Sequence, residues 1–303
     1  TTCASEIGVK KVSTNSFILS DGTFLTYLCL TDCETNVSQS PKIIKMTGRN
    51  ERMKKTYQCR LIKKEELCSG IYDFTVEAPE IAQVAETGQF LHIACGGPTF
   101  LRRPISICDT GDTTVRFIFQ VKGEGTRELA KHDTGDLIDI MGPLGHGFSV
   151  KQGERSVVIG GGIGIFPLLK IARNTDSAVF LGFRTKELVV LEDDFKAASD
   201  NVTICTDDGS YGYNGFAVAA MGEYLIDNRP DAIYSCGPTP LLKIVKQIAE
   251  NMDIPCQLSL EQRMGCGIGA CLTCVCETKN EGMAKYQQVC TCGPVFDSKE
   301  VVL

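Results

Sequence analysis

Apolar and polar positions change their rhythm along the chain, and each change predicts a different kind of structure. Near the start, two β-prone runs, Ser16-Phe17-Ile18-Leu19 and Thr23-Phe24-Leu25-Thr26-Tyr27-Leu28, flank Ser20-Asp21-Gly22. A turn triplet between two such runs predicts a small hairpin. From about residue 53 to 150 come short runs broken by Gly, Pro and Asp: Tyr57-Gln58-Cys59-Arg60-Leu61-Ile62, Ile71-Tyr72-Asp73-Phe74-Thr75-Val76, Gln89-Phe90-Leu91-His92-Ile93, Val115-Arg116-Phe117-Ile118-Phe119-Gln120-Val121 and Leu137-Ile138-Asp139-Ile140-Met141. Strands this closely spaced, with no helix-length pattern between them, predict an antiparallel barrel.

From about residue 154 to 255 the pattern becomes strand, helix, strand. The apolar runs Ser156-Val157-Val158-Ile159, Ala178-Val179-Phe180-Leu181, Val202-Thr203-Ile204 and Ala232-Ile233-Tyr234-Ser235 are separated by helix-length segments, the signature of a parallel α/β sheet. A cysteine-rich tail follows. The expectation is therefore an α+β multi-domain chain: residues 1–52 as an N-terminal extension without an assigned role, 53–150 as an antiparallel β-barrel, 151–255 as a parallel α/β domain, and 256–303 as a small C-terminal domain.

Composition narrows the function classes. A chain of 303 residues with 43% hydrophobic and 22% charged positions is ordinary globular protein rather than disorder. A net charge of -6 argues against a nucleic-acid partner, which selects for a basic surplus. No run approaches the ~18 apolar residues of a membrane span, and the opening Thr1-Thr2-Cys3-Ala4-Ser5-Glu6 has no basic segment leading into an apolar core. The sequence thus reads as soluble, unsecreted and cytoplasmic. Its 16 cysteines would suit a disulfide scaffold only in a short secreted chain; clustered thiols in a reducing compartment point to metal. Cys59, Cys95, Cys108, Cys205 and Cys236 sit singly in apolar context and read as small core residues, while Cys3, Cys29 and Cys33 fit no metal spacing.

The strongest chemical motif is Cys266-Gly267-Ile268-Gly269-Ala270-Cys271-Leu272-Thr273-Cys274 with Cys290 further on. C-x4-C-x2-C with a distant fourth cysteine is the plant-type [2Fe-2S] spacing, whereas structural zinc usually presents two C-x2-C pairs. Gly265, Gly267 and Gly269 allow a tight loop whose N–H groups can turn toward sulfur. Cys276 and Cys292 lie two residues beyond expected ligands and leave the set ambiguous on spacing alone.

Three further motifs are weaker singly. Gly160, Gly161, Gly162 and Gly164 follow a strand and open an apolar helix, a place for a nucleotide phosphate or for a plain tight turn. Arg103-Pro104-Ile105-Ser106 in the β-rich half offers a cation and hydroxyl to a flavin, or is an ordinary strand; Gly125 and Thr126 then open a short helix suited to a second phosphate contact. Cys236-Gly237-Pro238 ends a parallel strand and would face the same crevice as Gly160 and its neighbours. His92, His132 and His146 are isolated, and a hydride transfer between cofactors needs none of them.

With these motifs assembled, residues 53–303 resemble the electron-transfer subunit of class 1B dihydroorotate dehydrogenase, within the ferredoxin-NADP reductase superfamily. The stretches that carry the resemblance are Gly88-Gln89-Phe90-Leu91-His92, residues 101–107, Gly123 to Thr126, Met141-Gly142-Pro143-Leu144-Gly145-His146-Gly147-Phe148, residues 160–167, Asp207-Asp208-Gly209-Ser210-Tyr211-Gly212, residues 235–240, residues 263–274, Val289-Cys290, and Gly293-Pro294-Val295-Phe296. The resemblance implies an FAD-binding barrel, an NAD-binding α/β domain and a [2Fe-2S] domain. It places FAD along Arg103, Pro104, Ile105, Ser106, Ile118, Phe119, Gln120, Gly125 and Thr126, and the cluster on Cys266, Cys271, Cys274 and Cys290, with Cys276 and Cys292 as non-ligands. It further implies a partner FMN subunit that oxidises dihydroorotate to orotate in pyrimidine biosynthesis, in a heterotetramer, with electrons passing through the cluster and FAD to NAD+. A same-architecture reductase for another partner, of the ferredoxin:NADP transhydrogenase or sulfide dehydrogenase type, is the alternative. Arg184 at a strand end would suit a 2'-phosphate, and Asp207 and Asp208 oppose one.

Overall fold

The computed structural model describes residues 55–281 and 285–303 throughout, together with two strands nearer the N-terminus. Those strands, β1 (Val12–Ile18) and β2 (Phe24–Leu30), pair antiparallel with Ile18 opposite Phe24, as the run-turn-run pattern predicts. They belong to a unit, Thr1–Met53, separate from Lys54–Leu303. Ser20-Asp21-Gly22, Cys3 and Cys33 lie outside the described residues.

In the larger unit, β3 (Thr56–Cys68), β4 (Ile71–Glu77), β5 (Phe90–Ile93), β6 (Arg103–Thr110), β7 (Thr114–Gln120) and β8 (Leu137–Leu144) close into a barrel in the order β3-β4-β7-β6-β5-β8. Closure leaves no unpaired edge. Alternating inward residues fill it: Leu61, Phe74, Leu91, Phe117 and Ile140 are fully buried, and Phe74 meets Phe119 edge-on at 5.1 Å. Two short helices, α1 (Pro79–Ala82) and α2 (Glu124–Leu129), lie between strands.

The second half holds β9 (Arg155–Gly161), β10 (Asp176–Phe183), β11 (Asn201–Thr206), β12 (Tyr213–Asn214), β13 (Ala232–Cys236) and β14 (Cys256–Ser259), interleaved with α3 (Leu169–Asn174), α4 (Glu192–Ala198), α5 (Ala217–Asp227) and α6 (Thr239–Asn251). A hairpin of β15 (Val275–Glu277) and β16 (Tyr286–Gln288) precedes β17 (Val295–Asp297). The sheet order is β12-β11-β10-β9-β13-β14-β17, parallel through β14, with β17 added antiparallel. From β9 the chain steps outward through β10 to β12 and then returns to the other side at β13. That reversal opens a crevice at the carboxyl ends of β9 and β13.

Residues 256–303, expected as a tail, thus contribute two strands to this sheet. Runs of four and three residues are too short to carry a periodic signal, and their partners are set by tertiary packing.

Barrel and sheet are joined by charge. Asp73 on β4 is fully buried, and Arg116 on β7 donates Nε to both its carboxylate oxygens at 3.1 and 2.9 Å. Arg116 Nη1 reaches Asp194 on α4 at 2.7 Å, Arg173 on α3 pairs with Asp109 on β6, and Lys170 Nζ donates to Thr110 Oγ1 at 2.7 Å.

Candidate functional site

A cavity of about 730 Å³ opens where the sheet's switch point faces the barrel. Gly161, Gly162 and Gly164 line one side, Gly237 and Pro238 another, and Gln120 closes it from the barrel. The glycines are required by approach rather than by turn chemistry alone. A Cβ on Gly164 would lie 2.5 Å from Gly237 Cα, and one on Gly161 3.1 Å from Pro238, so the two strand-end loops pack backbone to backbone. Gly162 has φ of +55° and open space above it, leaving its backbone accessible to a ligand. Arg184 and Asp207 also line the cavity, while Asp208 accepts hydrogen bonds from Ser210 N and Oγ. Gly160 and Cys236 stand behind the lining: a Cβ on Gly160 would meet Leu168 at 2.9 Å, and complete burial pushes the Cys236 thiol up to about 12.

Along the barrel, β5 and β6 pair with Ile93 opposite Arg103, His92 opposite Pro104, Leu91 opposite Ile105 and Phe90 opposite Ser106. Arg103 turns toward α2, where a Cβ on Gly125 would sit 2.6–2.7 Å from its guanidinium. Thr126 Oγ1 accepts from Lys122 N at 2.9 Å and Gly123 N at 3.2 Å, fixing the turn into α2. A cation held against a glycine-opened helix start is a cradle that fits a pyrophosphate. Ile118 and Phe119, by contrast, are buried among core side chains at 3% and 2% exposure, and only Gln120 of that run reaches the cavity.

The cysteine loop runs from the end of β14 into β15. Its Gly267 and Gly269 have φ of +70° and +85°, which turns the N–H groups of Ile268 and Ala270 onto Cys266 Sγ at 3.4 and 3.3 Å. Thr273, through its hydroxyl and backbone, and then Cys266, hold the exposed Cys271 thiol down to about 6, the thiolate form that ligates iron. Burial, then Cys274, pushes Cys290 up to about 12. Among the described residues no group of three or more His, Cys, Asp or Glu side chains converges as a single ion would require. Cys271 interacts with Cys266, and Cys290 with Cys274 and, more weakly, with Cys266, so the four thiols lie in one neighbourhood. With their C-x4-C-x2-C spacing and backbone N–H groups already turned onto Cys266 Sγ, they fit a plant-type two-iron cluster. Cys276 is buried and Cys292 exposed, and neither is one of these four.

The loop also touches the barrel. A Cβ on Gly267 would fall 2.6 Å from His92 Nδ1. His92 is fully buried, and burial, with Arg102 adding positive charge, pushes it down to about 4.

Residues 261–302 match the family model described as the iron-sulfur cluster binding domain of dihydroorotate dehydrogenase B. The "Dihydroorotate dehydrogenase B (NAD(+)), electron transfer subunit" of Caldanaerobacter subterraneus subsp. tengcongensis is 36% identical over 248 residues, 81% of this chain and 98% of the relative. The protein of the same name from Bacillus mycoides is 38% identical over 256 residues, covering 80% and 97%. The chain belongs to the electron-transfer subunits of dihydroorotate dehydrogenase B. Among solved structures, an NADH-dependent reduced ferredoxin-NADP oxidoreductase superposes with a TM-score of 0.73 at 28% identity, over 81% of this chain and 90% of that one. The cytochrome b5 reductase domain of Ulva prolifera nitrate reductase, at 19% identity and a TM-score of 0.56 over 66% and 94%, shares the fold. As a dihydroorotate dehydrogenase B electron-transfer subunit, the chain is part of an NAD-dependent flavin and iron–sulfur oxidoreductase. FAD, the cluster and NAD are its cofactors, and a catalytic subunit is its partner. No described helix is long and apolar enough to cross a membrane.

Some of the cavity lining carries no sequence motif. Lys122, Leu241, Ile244 and Glu261 come from separate elements and are gathered only by the fold. Phe216, 65% exposed just ahead of α5, had a local signal: an aromatic after Gly215 where a helix begins.

Proposed function

We propose that this chain moves electrons between an FMN-containing dihydroorotate dehydrogenase subunit and NAD+, in the oxidation of dihydroorotate to orotate during pyrimidine biosynthesis in the cytoplasm. The observation that carries the reading is the position of the barrel between two sites. Gly267 of the cysteine loop abuts His92 on β5, and Ile71, Gln120 and Lys122 of the same barrel line the cavity. Residues 53–150, 151–255 and 256–303 then act as flavin, nucleotide and cluster regions, with 1–52 as an extension of the N-terminus.

Cys266, Cys271, Cys274 and Cys290 would hold a [2Fe-2S] cluster. Arg103 would neutralise the FAD pyrophosphate, Gly125 and Thr126 would present the helix start to it, and Pro104, Ile105, Ser106, Ile118, Phe119 and Gln120 would form the strand wall beside the flavin. Gly160, Gly161, Gly162 and Gly164, with Cys236, Gly237 and Pro238, would shape the NAD crevice: those lining it admit the cofactor, and Gly160 and Cys236 support them from behind. FAD supplies the exchange between a two-electron hydride carrier and a one-electron cluster, so no side chain here need act as acid or base.

The test is assembly. Mixed with the catalytic subunit, the chain should form a heterotetramer that reduces NAD+ with dihydroorotate, which neither subunit does alone. The likeness to the ferredoxin-NADP oxidoreductase supports a second reading, a reductase serving a different partner. Failure to assemble, together with NADH-driven reduction of a ferredoxin, would favour it.

A further inference from the structure

We propose that His92 is a positioning residue for the iron–sulfur cluster: sealed between the barrel and the cysteine loop, its imidazole seats the turn at Gly267 and supplies a ring N–H to the sulfurs held there. The inference rests on the reading of Cys266, Cys271, Cys274 and Cys290 as cluster ligands.

Burial is the first observation. His92 has no exposed surface, and neither Nδ1 nor Nε2 has a hydrogen-bond partner among the described residues. A neutral imidazole always carries one donor and one acceptor, and buried polar atoms are nearly always satisfied, so a ring with no well-formed bond has a donor left for a group lying against it. Barrel packing does not call for it either, since β5 residues Leu91 and Ile93 fill the core with aliphatic side chains.

Location is the second. The backbones of Arg102 and of Cys266, itself an expected ligand, lie within hydrogen-bonding influence of the ring, although neither makes a well-formed bond to it. Gly267 approaches so closely that a Cβ there would fall 2.6 Å from Nδ1 and 3.2 Å from Cε1; its φ of +70° also favours glycine. The loop is therefore fitted around this ring. The strand that presents the ring is itself held: Arg102 Nη1 donates to His92 O at 3.2 Å and to Asp139 O at 3.1 Å, while Nη2 pairs with Asp139 at 2.8 Å.

Chemistry supplies the consequence. Hydrogen bonds to cluster sulfurs favour the reduced, more negative state, and Cys266 Sγ already takes two from backbone amides. A further N–H from His92 makes the cluster a better electron acceptor, and it comes from the strand that faces Pro104 in the proposed flavin wall.

The experiment uses the full chain with cofactors loaded, as His92→Phe, His92→Gln, His92→Ala, Gly267→Ala and the double variant His92→Ala with Gly267→Ala. Iron, sulfide and FAD are quantified, the reduced cluster is examined by electron paramagnetic resonance, and its midpoint is titrated against the flavin. His92→Phe should keep its FAD, alter the resonance signature and disfavour cluster reduction by about tenfold, the low end of what losing an outer-shell partner costs in metal affinity or activity. His92→Gln, which keeps an N–H, should recover most of that loss. Gly267→Ala should perturb the signature strongly beside His92 and weakly in the His92→Ala background. An unchanged signature and midpoint in every iron-bearing variant would overturn the proposal. If His92→Phe loses its iron, the Gly267 pair decides, and additive effects there overturn it equally. A wild-type chain without iron and sulfide would instead remove the ligand reading beneath it.

Discussion

Arg102 and Arg103 stand side by side at the start of β6 and serve different partners. Arg102 is bound into the barrel through Asp139, whereas Arg103 lies against Gly125 and, among the described residues, hydrogen-bonds the carbonyls of Leu101 and Arg102 and no carboxylate. Its guanidinium is therefore available to an anion. Charge-assisted hydrogen bonds are worth roughly 1.5–3 kcal/mol, so Arg103→Ala should weaken FAD retention by about 10- to 100-fold in a fluorescence titration of apoprotein, while far-ultraviolet circular dichroism stays unchanged. Cysteine chemistry gives a second expectation at this scale. Burial pushes Cys59 and Cys205 up to about 11 and Cys256 up to about 12, from an ordinary thiol value of 9.0. From pH 9 upward the unfolded chain loses these protons while the folded chain keeps them, so the unfolded state binds fewer protons and stability falls as pH rises through that window; below it these groups contribute no pH dependence. Urea midpoints at about pH 8 and about pH 10 should show the drop.

Elements differ in how far the sequence announces them. Five of the six barrel strands and β9, β10, β11 and β13 were legible as runs of apolar and β-branched residues bounded mostly by turn residues, whereas β6, opening on Arg103-Pro104, was read only as a motif that could be an ordinary strand. β14 and β17 were not, since Cys256-Gln257-Leu258-Ser259 and Val295-Phe296-Asp297 become strands only by pairing with each other beside β13. In the site, the cysteine spacing and glycine loops were readable locally. The approach of His92 to Gly267 was not, because it joins residues far apart in sequence and local pattern says nothing about such a pair. β17 ties the cysteine region to the sheet through Phe296, 5% exposed and packed where Gly293 leaves no room for a Cβ. Phe296→Ala should cost about 3–5 kcal/mol in denaturant unfolding and hasten iron loss at temperatures where FAD stays bound.

Across the whole Lys54–Leu303 unit, the proposed hydride transfer between a flavin on the barrel and a nicotinamide in the crevice would depend on how barrel and sheet are held together. Arg116 is central to that join, since it neutralises the buried Asp73 while reaching Asp194 on α4. Arg116→Met would leave Asp73 buried and unpaired, a loss of about 3–5 kcal/mol by urea unfolding. Everything proposed for this chain depends on FAD and a [2Fe-2S] cluster sharing it, both reached by electrons from NADH. An absorption spectrum of the anaerobically purified chain, with acid-released flavin and iron quantified, before and after NADH, decides this. One FAD and two irons per chain are expected, with flavin and cluster bands both bleaching on addition of NADH. Zinc in place of iron, iron without flavin, or a cluster band that NADH leaves untouched would contradict this reading.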